Sequence, residues 1–189
     1  AFIEAIRSYP EYYHWYPLFV TLLGTGMRIG ECVGLTWKDV DFKHRSISVN
    51  HSASYYTRDG VACFAISKPK TEAGIRNIPL MDTVYDALKN EYDRQKREGF
   101  CVYELDGFTG FVFSNKLGSL HNPHCVNLAI KRIYEAYNAK EIIDAKKQHR
   151  EPVIIPHFSC HQLRHTFCSR LCENEMNVKV IQEIMGHAN

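Results

Sequence analysis

The sequence predicts a mainly α-helical domain carrying a small three-stranded antiparallel sheet, on two observations. Apolar residues recur at helical spacing through the N-terminal and C-terminal parts of the chain. Between them the period changes. Residues 46–50, Ser-Ile-Ser-Val-Asn, alternate polar and apolar as a half-buried strand does, and β-prone runs follow at 61–66 and 75–79.

The elements follow in order. Residues 2–8 read as a short helix stopped at Pro10. Residues 12–24 place Tyr13, Tyr16, Leu18, Phe19, Leu22 and Leu23 at helical spacing, and Thr25-Gly26 punctuates them. Residues 27–34 read as a second short helix. The three strands are expected to pair as a meander, separated by turns at Arg58-Asp59-Gly60 and Pro69-Lys70-Thr71-Glu72-Ala73-Gly74. Pro79 suits a strand end. Residues 84–97 form an amphipathic, densely charged helix, and Phe111-Val112-Phe113 a short buried stretch. Asn122-Pro123 is an N-cap followed by proline at the first helical position, opening a helix to about residue 138. A polar, basic stretch over 139–151 ends before Pro152. Ser159-x-x-Gln162 has the form of a capping box and opens a helix with Leu163, Phe167 and Leu171 on its core face. Residues 178–185 form the last helix, with Gly186 where a terminating glycine belongs.

Composition bounds the function. The 189 residues, 45% hydrophobic and 23% charged, suffice for one globular domain with a real core. No run of 18 apolar residues exists, so a helical membrane span is not expected. Net charge is only +2, so any nucleic-acid surface must be local. The 7 cysteines are odd in number and lack a C-x-x-C pair, which indicates free thiols, not a disulfide framework or a zinc ribbon. Both ends of the chain read as cut from something longer.

Four segments could carry chemistry. In Gly24-Thr25-Gly26-Met27-Arg28-Ile29-Gly30-Glu31, Arg28 lies in a first helical turn, where free N–H groups favour an anion, and Glu31 stands three residues on. Alone, that segment reads as an ordinary ion pair beside a helix cap. In His161-Gln162-Leu163-Arg164-His165-Thr166-Phe167, a His and an Arg share the face of a helix N-terminus, a plausible phosphate site. The i,i+4 pair His161 and His165 invites a zinc hydrolase reading, but Gln162 stands where the metalloprotease pattern needs Glu, and no metal is expected. His187 follows a helix-ending glycine. Lys68 and Lys70 sit at a β-turn ahead of Arg76, where lysines either decorate a surface or reach nucleic acid.

In combination and order, these motifs strongly resemble the catalytic domain of the tyrosine recombinases, the lambda-type integrase family. The likeness covers nearly the whole chain. Residues 25–31 look like the family's first arginine box, 161–167 like its H-x-x-R box, and Gly186-His187 like its second histidine. The stretch 69–79 is similar to the lysine hairpin of integrases from conjugative transposons and Gram-positive phages. The resemblance implies site-specific DNA recombination or integration through a 3′-phosphotyrosine intermediate, without a cofactor, on double-stranded DNA in the cytoplasm of a bacterium, in a self-assembled tetramer when full length.

It also implies roles. Arg28 and Arg164 would clamp the non-bridging oxygens of a phosphorane bidentately, a geometry lysine cannot copy. His161 and His187 would donate hydrogen bonds or move a proton at the attacking oxygen, and Lys70 would protonate the leaving 5′-oxygen. Glu31 and His165 would support them. All five catalytic residues should converge on one concave basic surface. None of the 11 tyrosines stands after His187, where the family's nucleophile belongs, and the preceding helical DNA-clamping domain has no counterpart. The chain is therefore expected to be a single catalytic domain, 1–189, ending before its nucleophile. Phosphate contacts are expected from Lys68, Arg76, Lys131, Arg132, Lys146 and Lys147, with Lys140 and Arg150 as further candidates. Residues 131–150 carry six basic against three acidic side chains, which equally suits a solvated helix face. The alternative from another class is a DNA-binding module with no chemistry of its own.

Overall fold

The computed structural model describes residues 1–69 and 74–186. Lys70 and His187 lie outside the described residues. Among the described residues seven α-helices accompany a small sheet: α1 Phe2–Ser8, α2 Tyr16–Thr25, α3 Ile29–Gly34, α4 Asp82–Glu98, α5 Pro123–Lys147, α6 Cys160–Glu173 and α7 Val178–Met185. A 3₁₀ turn over Pro10–Trp15 precedes α2, which begins four residues later than its apolar spacing suggests. Pro10 and Pro17 account for the split, since each supplies no N–H and sits in a first turn.

Helix α2 is the centre of the molecule. Leu18, Phe19, Val20, Thr21, Leu22 and Thr25 are all buried, so the helix is covered nearly all round, by α1, α4 and α6. The core continues through Ile47 and Ile78 of the sheet, Leu88 of α4, and Ile130 and Ile133 of α5. Phe111 and Val112 are fully buried as expected. Their backbone joins the segment after α3, with Phe111 bridged to Thr36 and Val112 N–H donating to Leu35 at 2.8 Å.

The sheet has three antiparallel strands, but not the three adjacent runs expected. Its order is β1 Val40–Asp41, β2 Ser46–Val49, β5 Arg76–Pro79, with Ile47 opposite Ile78 and Val49 opposite Arg76. The run at Val61–Ser67 is β4, which leaves the sheet and pairs with β3, Ser52–Arg58, as a separate hairpin. The turn decides this. Asp59 (φ 50°) and Gly60 (φ 77°) both take positive φ, the two-residue hairpin connection that ties β4 to the strand just before it. Strand β3 gave no alternation to read, because beyond Ala53 it is exposed on both faces.

Helix α5 also differs, running to Lys147 and not to about 138. Nothing between 139 and 147 breaks a helix, and Lys146 and Lys147 in its last turn complement the dipole. Its start is as expected, with Asn122 Oδ1 accepting from Cys125 N–H at 2.7 Å. After α5 the chain folds back, held by Asn138 and Ile155 exchanging two 2.8 Å hydrogen bonds.

Candidate active site

The site is built where α2 ends. Gly26 closes that helix in the left-handed region (φ 63°), its N–H donating to Leu22 at 3.1 Å. A Cβ there would also run into the Phe167 ring of α6, so Gly26 is needed both for the turn and for the approach of α6. Two residues on, Arg28 is the N-cap of α3 and not within its first turn. Helix α3 lies directly on the start of β3. A Cβ on Gly30 would sit 2.6 Å from the Ala53 carbonyl oxygen.

Glu31, at the third position of α3, organises what surrounds it. Its Oε2 accepts from the Arg28 backbone N–H at 2.8 Å and its Oε1 from Arg28 Nη1 at 3.1 Å. The same two oxygens accept from Arg76 Nη2 at 2.8 Å and Nη1 at 3.1 Å. Burial by itself would raise the Glu31 carboxyl, but the hydrogen bonds and charge of Arg76, then those of Arg28, hold it below the usual range.

Arg164 ties three elements together. From the second turn of α6 its Nη1 donates to the Gly26 carbonyl at 2.5 Å and its Nη2 to the Met185 carbonyl, at the end of α7, at 2.6 Å. Burial pushes its guanidinium down to about 10, with Arg28 and Arg76 adding to the shift and Glu31 opposing it. Arg28 and Arg164 therefore lie near enough for their like charges to act on each other, and the charge of Glu31, which contacts Arg28, also reaches Arg164.

His161 is exposed in the first turn of α6, three positions before Arg164. Its ring meets that of His165 edge-on, centroids 4.6 Å apart. The capping box forms through Gln162, whose Oε1 accepts from both the Ser159 N–H and its hydroxyl. Among the described residues no group of three or more His, Cys, Asp and Glu side chains could hold a metal ion.

The residues expected on phosphate are arranged unequally. Arg76 is not on the surface. It is 7% exposed, with Nε donating to the Ile184 carbonyl at 2.7 Å and its Nη atoms committed to Glu31. Its place was legible in the strand period, which puts it on the same inward face as Ile78. Lys68, Arg132, Lys146 and Lys147 are exposed, and Lys131 is exposed beside Glu135 at 3.7 Å. Lys140 lies 5.8 Å from the Tyr9 ring centroid. Arg150 grips Glu141 through both Nη atoms and holds that carboxyl down at about 2.

A buried carboxylate thus meets an arginine from its own helix and another from the sheet, beside a helix-borne histidine, and the arrangement of helices and sheet that holds them has known counterparts. The chain belongs to the phage integrase family, whose model matches residues 1–189, and its fold is that of the tyrosine recombinase catalytic domain. It is similar to the transposase of transposon Tn916 from Enterococcus faecalis, 34% identical over all of this chain and 42% of that protein. A tyrosine recombinase XerC-like protein of Caldanaerobacter subterraneus is 28% identical over 91% of the chain and 42% of that protein. Among solved structures, the Tn1549 transposon integrase in complex with transposon right end DNA superposes with a TM-score of 0.84 at 34% identity, over all of this chain and 55% of that one. The chain thus spans about half the length of the relatives it matches, or less. Among the described residues no helix is long and apolar enough to cross a membrane.

Proposed function

We propose that this chain supplies the phosphate-activating pocket of a site-specific DNA recombinase, acting on double-stranded DNA in the bacterial cytoplasm. The observation that carries the reading is the single knot of Arg28, Glu31 and Arg164, joined from α3 and α6 through the Gly26 turn. A tyrosine phenolate attacks the phosphorus, forming a 3′-phosphotyrosine and expelling a 5′-oxygen, and the reverse attack rejoins a strand. The phosphodiester energy is kept in the covalent link. Arg28 and Arg164 neutralise the non-bridging oxygens as charge builds in the phosphorane. His161 and His187 serve the attacking oxygen, and Lys70 protonates the leaving one. The nucleophile and a DNA-clamping domain come from sequence outside these 189 residues, and four copies assemble on the DNA.

The test is a nicked suicide duplex run on a denaturing gel. The full-length protein should give a covalent band, and Arg164→Ala should abolish it. The 189-residue chain should bind duplex weakly and give no band. Lys146→Ala and Lys147→Ala should each lower the slope of log affinity against log salt by about 1. A covalent band from the 189-residue chain would mean that another residue attacks. No band from the full-length protein would leave only a DNA-binding module.

A further inference from the structure

Glu31 is shared unequally. A carboxylate offers about four acceptor positions, and here four N–H groups fill them: two from the Arg76 guanidinium, one from the Arg28 backbone and one from the Arg28 side chain. The two guanidiniums differ in exposure. The Arg76 side chain is 5% exposed and meets Glu31 at both oxygens, while that of Arg28 is 49% exposed and meets it at one. Arg76 is itself fixed, with Nε on the Ile184 carbonyl and Gly186 packed so closely that a Cβ there would lie 3.0 Å from Nη1.

We propose that Arg76 is a positioning residue for phosphate activation: by occupying both oxygens of Glu31 it stops that carboxylate from gripping Arg28 in the two-point geometry that would withdraw its charge from the phosphate. A carboxylate beside a lone arginine closes into a fork-to-fork pair, because that geometry is the strongest the two groups can make. Such a pair on Arg28 would neutralise the cation the phosphorane needs. With the buried arginine engaged, Glu31 still orients Arg28 through the backbone N–H and one Nη, and leaves its charge presented. Arg76 touches no reacting atom in this account and acts through Glu31. The inference rests on the recombinase reading above.

The experiment measures covalent adduct formation by the full-length protein at saturating DNA. Two suicide substrates are compared: an ordinary phosphodiester, and a methylphosphonate in which a methyl group replaces one non-bridging oxygen and removes the negative charge. Arg76→Gln should slow cleavage of the phosphodiester about 100-fold, the scale of losing one preorganised donor, with DNA affinity changed less than about threefold. The loss on the methylphosphonate should be at least tenfold smaller, since a neutral linkage asks less of Arg28. Arg76→Lys, which keeps the charge but holds Glu31 at a single point, should fall between. The pair Glu31→Gln with Arg76→Gln removes the competing carboxylate and should cleave both substrates in the wild-type ratio, even if Arg76→Gln alone does not fold. Equal losses on both substrates, a wild-type rate for Arg76→Gln, or a double variant that keeps the altered ratio would each overturn the proposal. Failure of the wild-type protein to form any adduct would instead overturn the recombinase reading.

Discussion

The carbonyl oxygen of Gly26 accepts a hydrogen bond from Nη1 of Arg164, two residues 138 positions apart in the chain. That bond joins the end of the central helix to the α6 face that carries His161. The second bond, to Met185, extends the link to α7. One planar side chain thus sets the relative positions of three helix termini, which explains why an always-charged residue is tolerated at 5% exposure.

Removing this side chain should cost stability as well as activity. Arg164→Ala leaves the Gly26 and Met185 carbonyls without that donor, at about 1–3 kcal/mol for each buried group. Urea denaturation should show a loss of about 2–6 kcal/mol in total. Arg164→Lys keeps the charge but cannot span two carbonyls with a rigid fork, and should recover less than half of it.

Gly26 and Gly107 separate backbone strain from crowding. Both have positive φ, 63° and 82°, but a Cβ at Gly107 meets nothing within 4 Å whereas one at Gly26 meets Phe167. Gly107→Ala should cost about 1–2 kcal/mol, the strain of a left-handed alanine. Gly26→Ala should cost a further 1–3 kcal/mol or so as Phe167 is displaced. Thermal melts of the two variants against wild type give the difference, and equal losses would mean that α6 yields without penalty.

His121 should make stability depend on pH in a defined window. Burial pushes its imidazole down to about 4 from the ordinary 6.5, with the Ser114 backbone hydrogen bond opposing and His14 adding. Between those values the unfolded chain binds a proton that the folded chain refuses, so stability rises with pH and is lost as pH falls from 6.5 towards 4. The loss is about 3 kcal/mol at full displacement. Denaturation curves at pH 4, 5, 6 and 7 should show His121→Gln losing less stability over this window than wild type. Parallel curves would show that another group governs it.

Local chemistry determined much of this protein before any tertiary contact. Asn122-Pro123, Ser159-x-x-Gln162 and Gly186 mark helix ends through bonds within a single turn, and all three stand where their sequence signals put them. The proximity of Glu31 to Arg28 follows from helical spacing in the same way. Partner choice was different. Two strands that pair, such as β2 and β5, announce their period but not each other, and the Asp59-Gly60 turn diverted β4 into its own hairpin. Helix α5 ran past residue 138 because helix-forming residues continue to Lys147, a boundary that polarity alone does not mark. Arg76 is the clearest case. Its composition says surface and its strand period says interior, and only the arrival of Glu31 from a distant helix made a buried guanidinium affordable. Charge can be buried where a counter-charge is brought to meet it, and which counter-charge arrives is a property of the fold.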